Sequence, residues 1–307
     1  MQAQVAELDV ALSHSRKISK HSIPISPHAE DLWAEIKSLG LENHIAELEV
    51  RGFTVIPPEK AAPPGFAARL KEKILDVAER RSGVRPDESM GSTHANEAKA
   101  FGSLMTYMLF EDPIFQEALC NPIGLAMAHY LVGEKAVLSN CIAIVKGPGG
   151  LDLNLHCDNA LIHAPFPPNQ LVCNITYALT DYTKENGALC FVPGSHKYYR
   201  HPMFDEGLDQ RVAVECPAGS MIFWGGNTWH GAFARTAPGL RVNLLMALMR
   251  PYMRPQEVYR ENVTAETLDR NPPIFRNLMG KHINYGWKDE GPQNEATAYN
   301  VGRHAYD

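Results

Sequence analysis

"SMIFWGGNTWHGAFARTAPGLRVNLLMALMR", residues 220–250, passes through three apolar runs, and none is long enough or periodic enough to be a helix. "SMIFWGG" (220–226), "TWHGAFAR" (228–235) and "RVNLLMALMR" (241–250) are each of strand length, rich in aromatic and aliphatic residues and bounded by Gly, Asn or Pro. The same grammar runs upstream through "AVLSNCIAIVKG" (136–147), "LVCNITYALTD" (171–181), "ALCFVPG" (188–194) and "RVAVECPAG" (211–219). Short strands in series without intervening helices predict an all-β sandwich or barrel.

The flanks read differently. Residues 28–50 and 63–81 carry helical spacing of apolar residues, with "RGFTVIPP" (51–58) as a short strand between them. Residues 82–100 are polar and read as loop, and residues 101–133 as two or three apolar helices interrupted at Pro113 and Pro122. The expected organisation is a polar arm (1–30) and one domain (31–307). That domain would comprise a helical part (31–133), a β core (136–250) and a Pro-rich, partly helical extension (251–307). The class is mainly β with flanking helices.

The chain has 307 residues, 45% hydrophobic and 21% charged, enough for a sizeable core. Acidic residues outnumber basic ones 35 to 29, so neither nucleic acid nor an anionic membrane is the expected partner. The six cysteines form no CxxC pair, which argues against zinc ribbons and thioredoxin-like chemistry and for a reducing, cytoplasmic setting. The N-terminus has no apolar core after its basic residues, so no signal peptide is expected. No apolar run reaches the roughly 18 residues of a membrane span.

Within this frame "LHCDNALIH" (155–163) places His156 and Asp158 two residues apart after a Gly/Pro turn. Alternate residues of a strand face one side, so the pair points together while Cys157 points away. His230 lies in another strand, and a turn at 236–239 leads to Arg241. A hairpin there would set Arg241 nearly opposite His230, with Thr228, His230 and Ala232 on one face and Arg241, Asn243 and Leu245 on one face of its partner. A buried arginine needs an anion, either an internal carboxylate or a bound ligand. Two His and one carboxylate form the facial triad of non-haem Fe(II) oxygenases, which leaves positions open for a 2-oxo acid and O2.

The segments "HCD", "LTDYTKENGALCFVPGSHK" and "AGSMIFWGGNTWHGAFARTAPGLRVNLL" together resemble the phytanoyl-CoA dioxygenase-like family of Fe(II)/2-oxoglutarate oxygenases. The match in order and spacing runs from about residue 136 to 250. The resemblance implies a double-stranded β-helix (jelly-roll) core. It maps iron onto His156, Asp158 and His230, and the distal carboxylate of 2-oxoglutarate onto Arg241. Members often carry Ser two residues after the distal His; here that residue is Ala232. Asn243 is the expected substitute, with Thr228 and Asn174 as further choices. O2 is the oxidant, and succinate and CO2 are the expected co-products.

Other motifs are structural on their sequence. "VPGSHK" (192–197) lacks GxSxG, "GPGG" (147–150) lacks the GK[ST] of a phosphate loop, and Asn186–Gly187 suits a turn. "NALIHAPFPPNQ" (159–170) follows the HxD directly and is expected to overhang the open metal positions, with Leu161, His163 and Phe166 toward substrate. Met105, in "GSLMTYMLF", and Asn140 are the other expected contacts. No basic cluster suits CoA phosphates, so the expected reaction is hydroxylation of a free, largely apolar small molecule, with secondary metabolism as the expected setting. Alternatives are a cupin-like isomerase or epimerase without 2-oxoglutarate and a non-catalytic barrel. A homodimer is the oligomer to test for.

Overall fold

The computed structural model describes residues 27–91, 102–159 and 161–283. The arm expected over residues 1–30 lies almost wholly outside them, as do residues 92–100 of the loop read over 82–100 and the end of the C-terminal extension. The chain divides into two compact units with their boundary between Glu42 and Asn43. In the first, helix α1 (Pro27–Ser38) carries an acidic residue in its first turn and Lys37 in its last, which suits the helix dipole.

The second unit holds helices α2 (Glu42–Arg51), α3 (Pro58–Ala61), α4 (Phe66–Ser82), α5 (Pro113–Leu119) and α6 (Pro122–Val132). Short helices α7 (Tyr259–Asn262), α8 (Ala265–Arg270) and α9 (Pro273–Leu278) follow the β core. Pro113 and Pro122 do not interrupt helices as expected; each opens one. Proline tolerates the first helical turn, where its missing N–H costs nothing. Asp112 and Asn121 cap the two helices by accepting from Ile114 N and from Ile123 N and Gly124 N.

The strands among the described residues are β1 (Phe53–Ile56), β2 (Ser103–Met105), β3 (Val137–Lys146), β4 (Leu153–His156), β5 (Val172–Ala178), β6 (Leu189–Phe191), β7 (Val212–Ala213), β8 (Met221–Gly225), β9 (His230–Ala232) and β10 (Arg241–Met249). They form two antiparallel sheets, ordered β1-β8-β5-β10-β3-β2 and β4-β9-β6-β7. This is the double-stranded β-helix, a jelly roll that stays open as two sheets and does not close into a barrel. Residues 103–105, read as helix in sequence, are an edge strand on β3. Three residues are too few for helical periodicity to be told from alternation.

The core between the sheets explains why these runs are apolar. Phe53 of the six-stranded sheet stacks on Phe191 of the four-stranded sheet with centroids 4.4 Å apart, and Phe191 meets Trp224 edge-on at 5.4 Å. Such pairs add about 0.5–1.5 kcal/mol each beyond burial. Among the described residues no helix is long and apolar enough to cross a membrane. All six cysteines are free.

One irregularity matters for the site. The β3–β10 register slips between Ala247↔Asn140 and Leu248↔Leu138, leaving Ser139 as an extra residue on β3. A bulge of this kind frees backbone groups for other partners. Ser139 O accepts from Glu257 N at 2.9 Å, and Ser139 Oγ from Gln256 N at 3.2 Å. The chain after β10 is thereby laid across the end of the sheet.

Candidate metal centre and co-substrate pocket

β4 and β9 pair so that His156 and His230 are direct cross-strand partners. Their rings lie 4.2 Å apart. Asp158 follows β4 and is tied back by its N–H to Gly226 O at 3.0 Å. Its carboxylate faces the Nε2 edges of both rings: Oδ1 is 3.8 Å from His156 Nε2, and Oδ2 is 3.4 Å from His230 Nε2. One ligand atom from each residue falls within 4.8 Å of the others.

The tautomers suit a metal. His156 Nδ1 is 2.8 Å from Asn154 O, and His230 Nδ1 is 3.0 Å from Thr228 O. A carbonyl oxygen only accepts, so both Nδ1 atoms carry the proton and both Nε2 lone pairs turn toward Asp158. Burial, opposed by Asp158 and aided by His156, lowers the pKa of His230 to about 4, which keeps it in its neutral, ligating form. The donor set of two imidazoles and one carboxylate fits Fe(II).

Asn174, expected as a contact to 2-oxoglutarate, instead donates from Nδ2 to Asp158 Oδ2 at 2.6 Å. It holds the Asp158 carboxylate in place. Thr228 is a correction: its hydroxyl donates to Gly52 O at 2.9 Å, outside the cavity. β9 begins only at His230, so the alternation that aligned Thr228 with it in sequence does not reach back that far.

The triad opens on a cavity of about 380 Å³. Arg241, at the start of β10, lines the same cavity and is 3% exposed. The expected hairpin between His230 and Arg241 does not form. β9 pairs with β4 and β6, whereas β10 pairs with β3 and β5. The connection crosses from one sheet to the other, so ligand and arginine line the cavity from opposite sheets. Arg241 Nη1 donates to Gly187 O at 2.5 Å, and its Nε has no partner. The Asn186–Gly187 turn read in sequence therefore serves as a carbonyl rest for the guanidinium. Lys146 is the cross-strand partner of Arg241. Its amine donates to Leu151 O at 2.8 Å, and burial first and Arg241 second lower its pKa to about 8. Among the described residues Arg241 has no carboxylate in ion-pair reach. A buried guanidinium so placed calls for an anionic ligand.

Asn243 lines the cavity beside Arg241, and its Oδ1 is buried without a partner. Thr176, overlooked in sequence, also lines it. Strand parity with Asn174 was the signal that could have found it. Asn140 lines the cavity, but both ends of its amide are engaged: Oδ1 accepts from Ala247 N at 3.2 Å and Nδ2 donates to Gln256 Oε1 at 2.6 Å.

The segment 159–170 divides. Asn159, Leu161 and Ile162 line the cavity, with Leu161 90% exposed. His163 is exposed and is not among the lining residues. Phe166 is 3% exposed and packs with Cys157, Val192 and Trp229, away from the substrate side. Met105 is likewise a core residue, and its neighbour Leu104 lines the cavity. Ser195 and His196 do not form a pair. Ser195 Oγ accepts from Trp229 N, and His196 Nε2 donates to Glu49 O.

A family model described as phytanoyl-CoA dioxygenase (PhyH) matches residues 48–243. The dioxygenase FrzG of a Cladobotryum species is 33% identical over 262 residues, covering 80% of this chain and 83% of that protein. The dioxygenase af480 of Aspergillus fumigatus is 28% identical over 254 residues, covering 81% and 80%. Among solved structures, the epimerase SnoN in complex with Fe3+, alpha ketoglutarate and nogalamycin RO superimposes with a TM-score of 0.52 at 20% identity. That match covers 74% of this chain and 91% of SnoN, and speaks to the fold.

Proposed function

This chain belongs to the phytanoyl-CoA dioxygenase family, whose members use Fe(II), 2-oxoglutarate and O2, and from that premise we propose that it hydroxylates a largely apolar small molecule. One observation carries the reading: the His156–Asp158–His230 cluster and a buried, carboxylate-free Arg241 line a single cavity from its two sheets. An enzyme that needed only a metal would have no use for a buried cation facing it.

His156, Asp158 and His230 would hold Fe(II), which when bound supplies the oxidising power by coupling O2 to decarboxylation of 2-oxoglutarate into succinate and CO2. The chain's own residues do the rest. Arg241 grips the distal carboxylate, because a planar fork matches two oxygens better than a point charge does. Asn243 and Thr176 offer polar contacts on the same walls, where Ala232 lacks the hydroxyl common in the family. Asn174 orients Asp158 for the metal. Leu104, Ile142, Leu161, Leu245 and Met249 give the lining a largely apolar stretch, which excludes water and suits an unactivated C–H substrate.

Anaerobic addition of Fe(II) and 2-oxoglutarate should produce a metal-to-ligand charge-transfer band, and aerobic turnover with substrate should release succinate together with a hydroxylated product. His156→Ala and His230→Ala should lose the band. Its survival in both variants would overturn the assignment, and an epimerised or cyclised product would replace hydroxylation as the outcome.

A further inference from the structure

The chain leaving β10 folds back over the cavity mouth as a strap, residues 251–258, and one buried carboxylate pins it. Glu257 is 3% exposed and accepts from Tyr107 N at 2.7 Å, from Cys141 N at 2.9 Å and from the Tyr259 hydroxyl. The Ser139 bulge takes the neighbouring backbone N–H groups of Gln256 and Glu257. A strap fixed by so many hydrogen bonds delivers its side chains from a defined backbone, which is what selective recognition requires.

Two of those side chains, Arg254 and Gln256, line the metal cavity. The orientation of Gln256 can be traced. Ala247 N can only donate, so it fixes Asn140 Oδ1 as acceptor. Asn140 Nδ2 must then donate to Gln256 Oε1, which leaves Gln256 Nε2 without a hydrogen bond among the described residues. Arg254 has neither an ion pair nor a hydrogen bond among the described residues. The other charged residues lining this cavity are the metal cluster and Arg241. Arg254 is thus the lining cation that neither iron nor 2-oxoglutarate accounts for. It also borders a second cavity of about 520 Å³, whose walls include Val137, Leu138, Met253, Leu278 and Ile283.

We infer that Arg254 and the Nε2 of Gln256 form a subsite for a carboxylate on the primary substrate, which is then an amphipathic acid with an apolar body. This rests on the oxygenase reading above and deepens it. A carboxylate suits two donors, one of them a planar cation, better than a neutral amide does. The anion stays at the mouth and the apolar body fills the lined interior, so the C–H bond attacked lies remote from the acid group.

The test uses the intact protein held anaerobically with Fe(II) and 2-oxoglutarate. Decanoate, 4-phenylbutyrate and indole-3-propionate are each compared with their primary amides, and the readout is the shift each causes in the charge-transfer band. In the wild type at least one acid should act at about ten-fold lower concentration than its amide. Arg254→Ala should abolish that difference without weakening the band, and Arg254→Lys should keep part of it. Absence of the band in the wild type would defeat the oxygenase reading itself. With the band present, the subsite is overturned if no acid outperforms its amide or if the preference survives Arg254→Ala. It is also overturned if the acids only bleach the band equally in both proteins, as displacement of 2-oxoglutarate would.

Discussion

Asn174 Nδ2 donates to Asp158 Oδ2 at 2.6 Å, so the carboxylate that faces His156 and His230 in the candidate metal centre is itself held from the opposite sheet. Partners of this kind typically contribute ten- to hundred-fold to metal affinity. Asn174→Ala should therefore weaken Fe(II) or Co(II) binding by about ten-fold or more, read by anaerobic calorimetry. 2-Oxoglutarate affinity at saturating metal should change little. A loss confined to 2-oxoglutarate would return Asn174 to the role expected from sequence.

Arg241→Met should leave metal binding intact and weaken 2-oxoglutarate by about ten- to a hundred-fold, the equivalent of roughly 1.5–3 kcal/mol for a charged hydrogen-bonded contact. Arg241→Lys should fall between, since it keeps charge without the fork. Equal affinity in all three proteins would place the anchor elsewhere.

Phe166 and Leu161 should behave oppositely although both belong to the loop after Asp158. Phe166 is packed, so Phe166→Ala should cost about 3–5 kcal/mol in denaturant melts while product still tracks succinate. Leu161 is exposed at the cavity, so Leu161→Ser should leave the melt unchanged and allow succinate to form in excess of product. Uncoupling by Phe166→Ala at unchanged stability would restore it as a lid residue.

Acid should destabilise the metal-free fold through its buried histidines. Burial lowers the pKa of His129 below 6.5, and its Nε2 has no partner among the described residues. As pH falls through 6.5 the unfolded chain takes up the proton first, so stability is fully present above that pH and drains away below it. Burial shifts His44, His196 and His282 the same way. The melting temperature, measured in chelator, should fall between pH 7.5 and 5.5. His129→Met should flatten the fall; an identical slope would exonerate that residue.

How far the sequence was legible follows from the range of each signal. His156 and Asp158 are near in sequence, and a short turn separates His230 from Arg241, so local spacing was enough to gather the candidate metal cluster and Arg241 at one cavity. The pairing of β9 and β10 with different sheets is non-local, and nothing in residues 228–245 reveals it. Alternation also fails where strands end, which is why Thr228 turns to Gly52, and Met105, read as part of a helix, lies in an edge strand with its side chain in the core. The roles of Asn174 and Asn140 depend on partners 16 and 107 residues away, Asp158 and Ala247, beyond any local pattern. Arg254 and Gln256 sit in a Pro-rich stretch that carries no periodicity at all.

The crossing between β9 and β10 has a mechanical corollary. A co-substrate held at one end by iron on His230 and at the other by Arg241 would be a tie rod between two sheets that are otherwise joined by side-chain packing and by hydrogen bonds such as that from Asn174 to Asp158. Iron alone loads one sheet, and the dicarboxylate alone loads the other. Only together do they brace the gap. The rise in melting temperature with both present should exceed the sum of the rises with each alone. Ligand at a hundred times its dissociation constant adds about 2.7 kcal/mol by mass action, ample to resolve the excess. Strictly additive shifts would mean that the two ends are not mechanically joined.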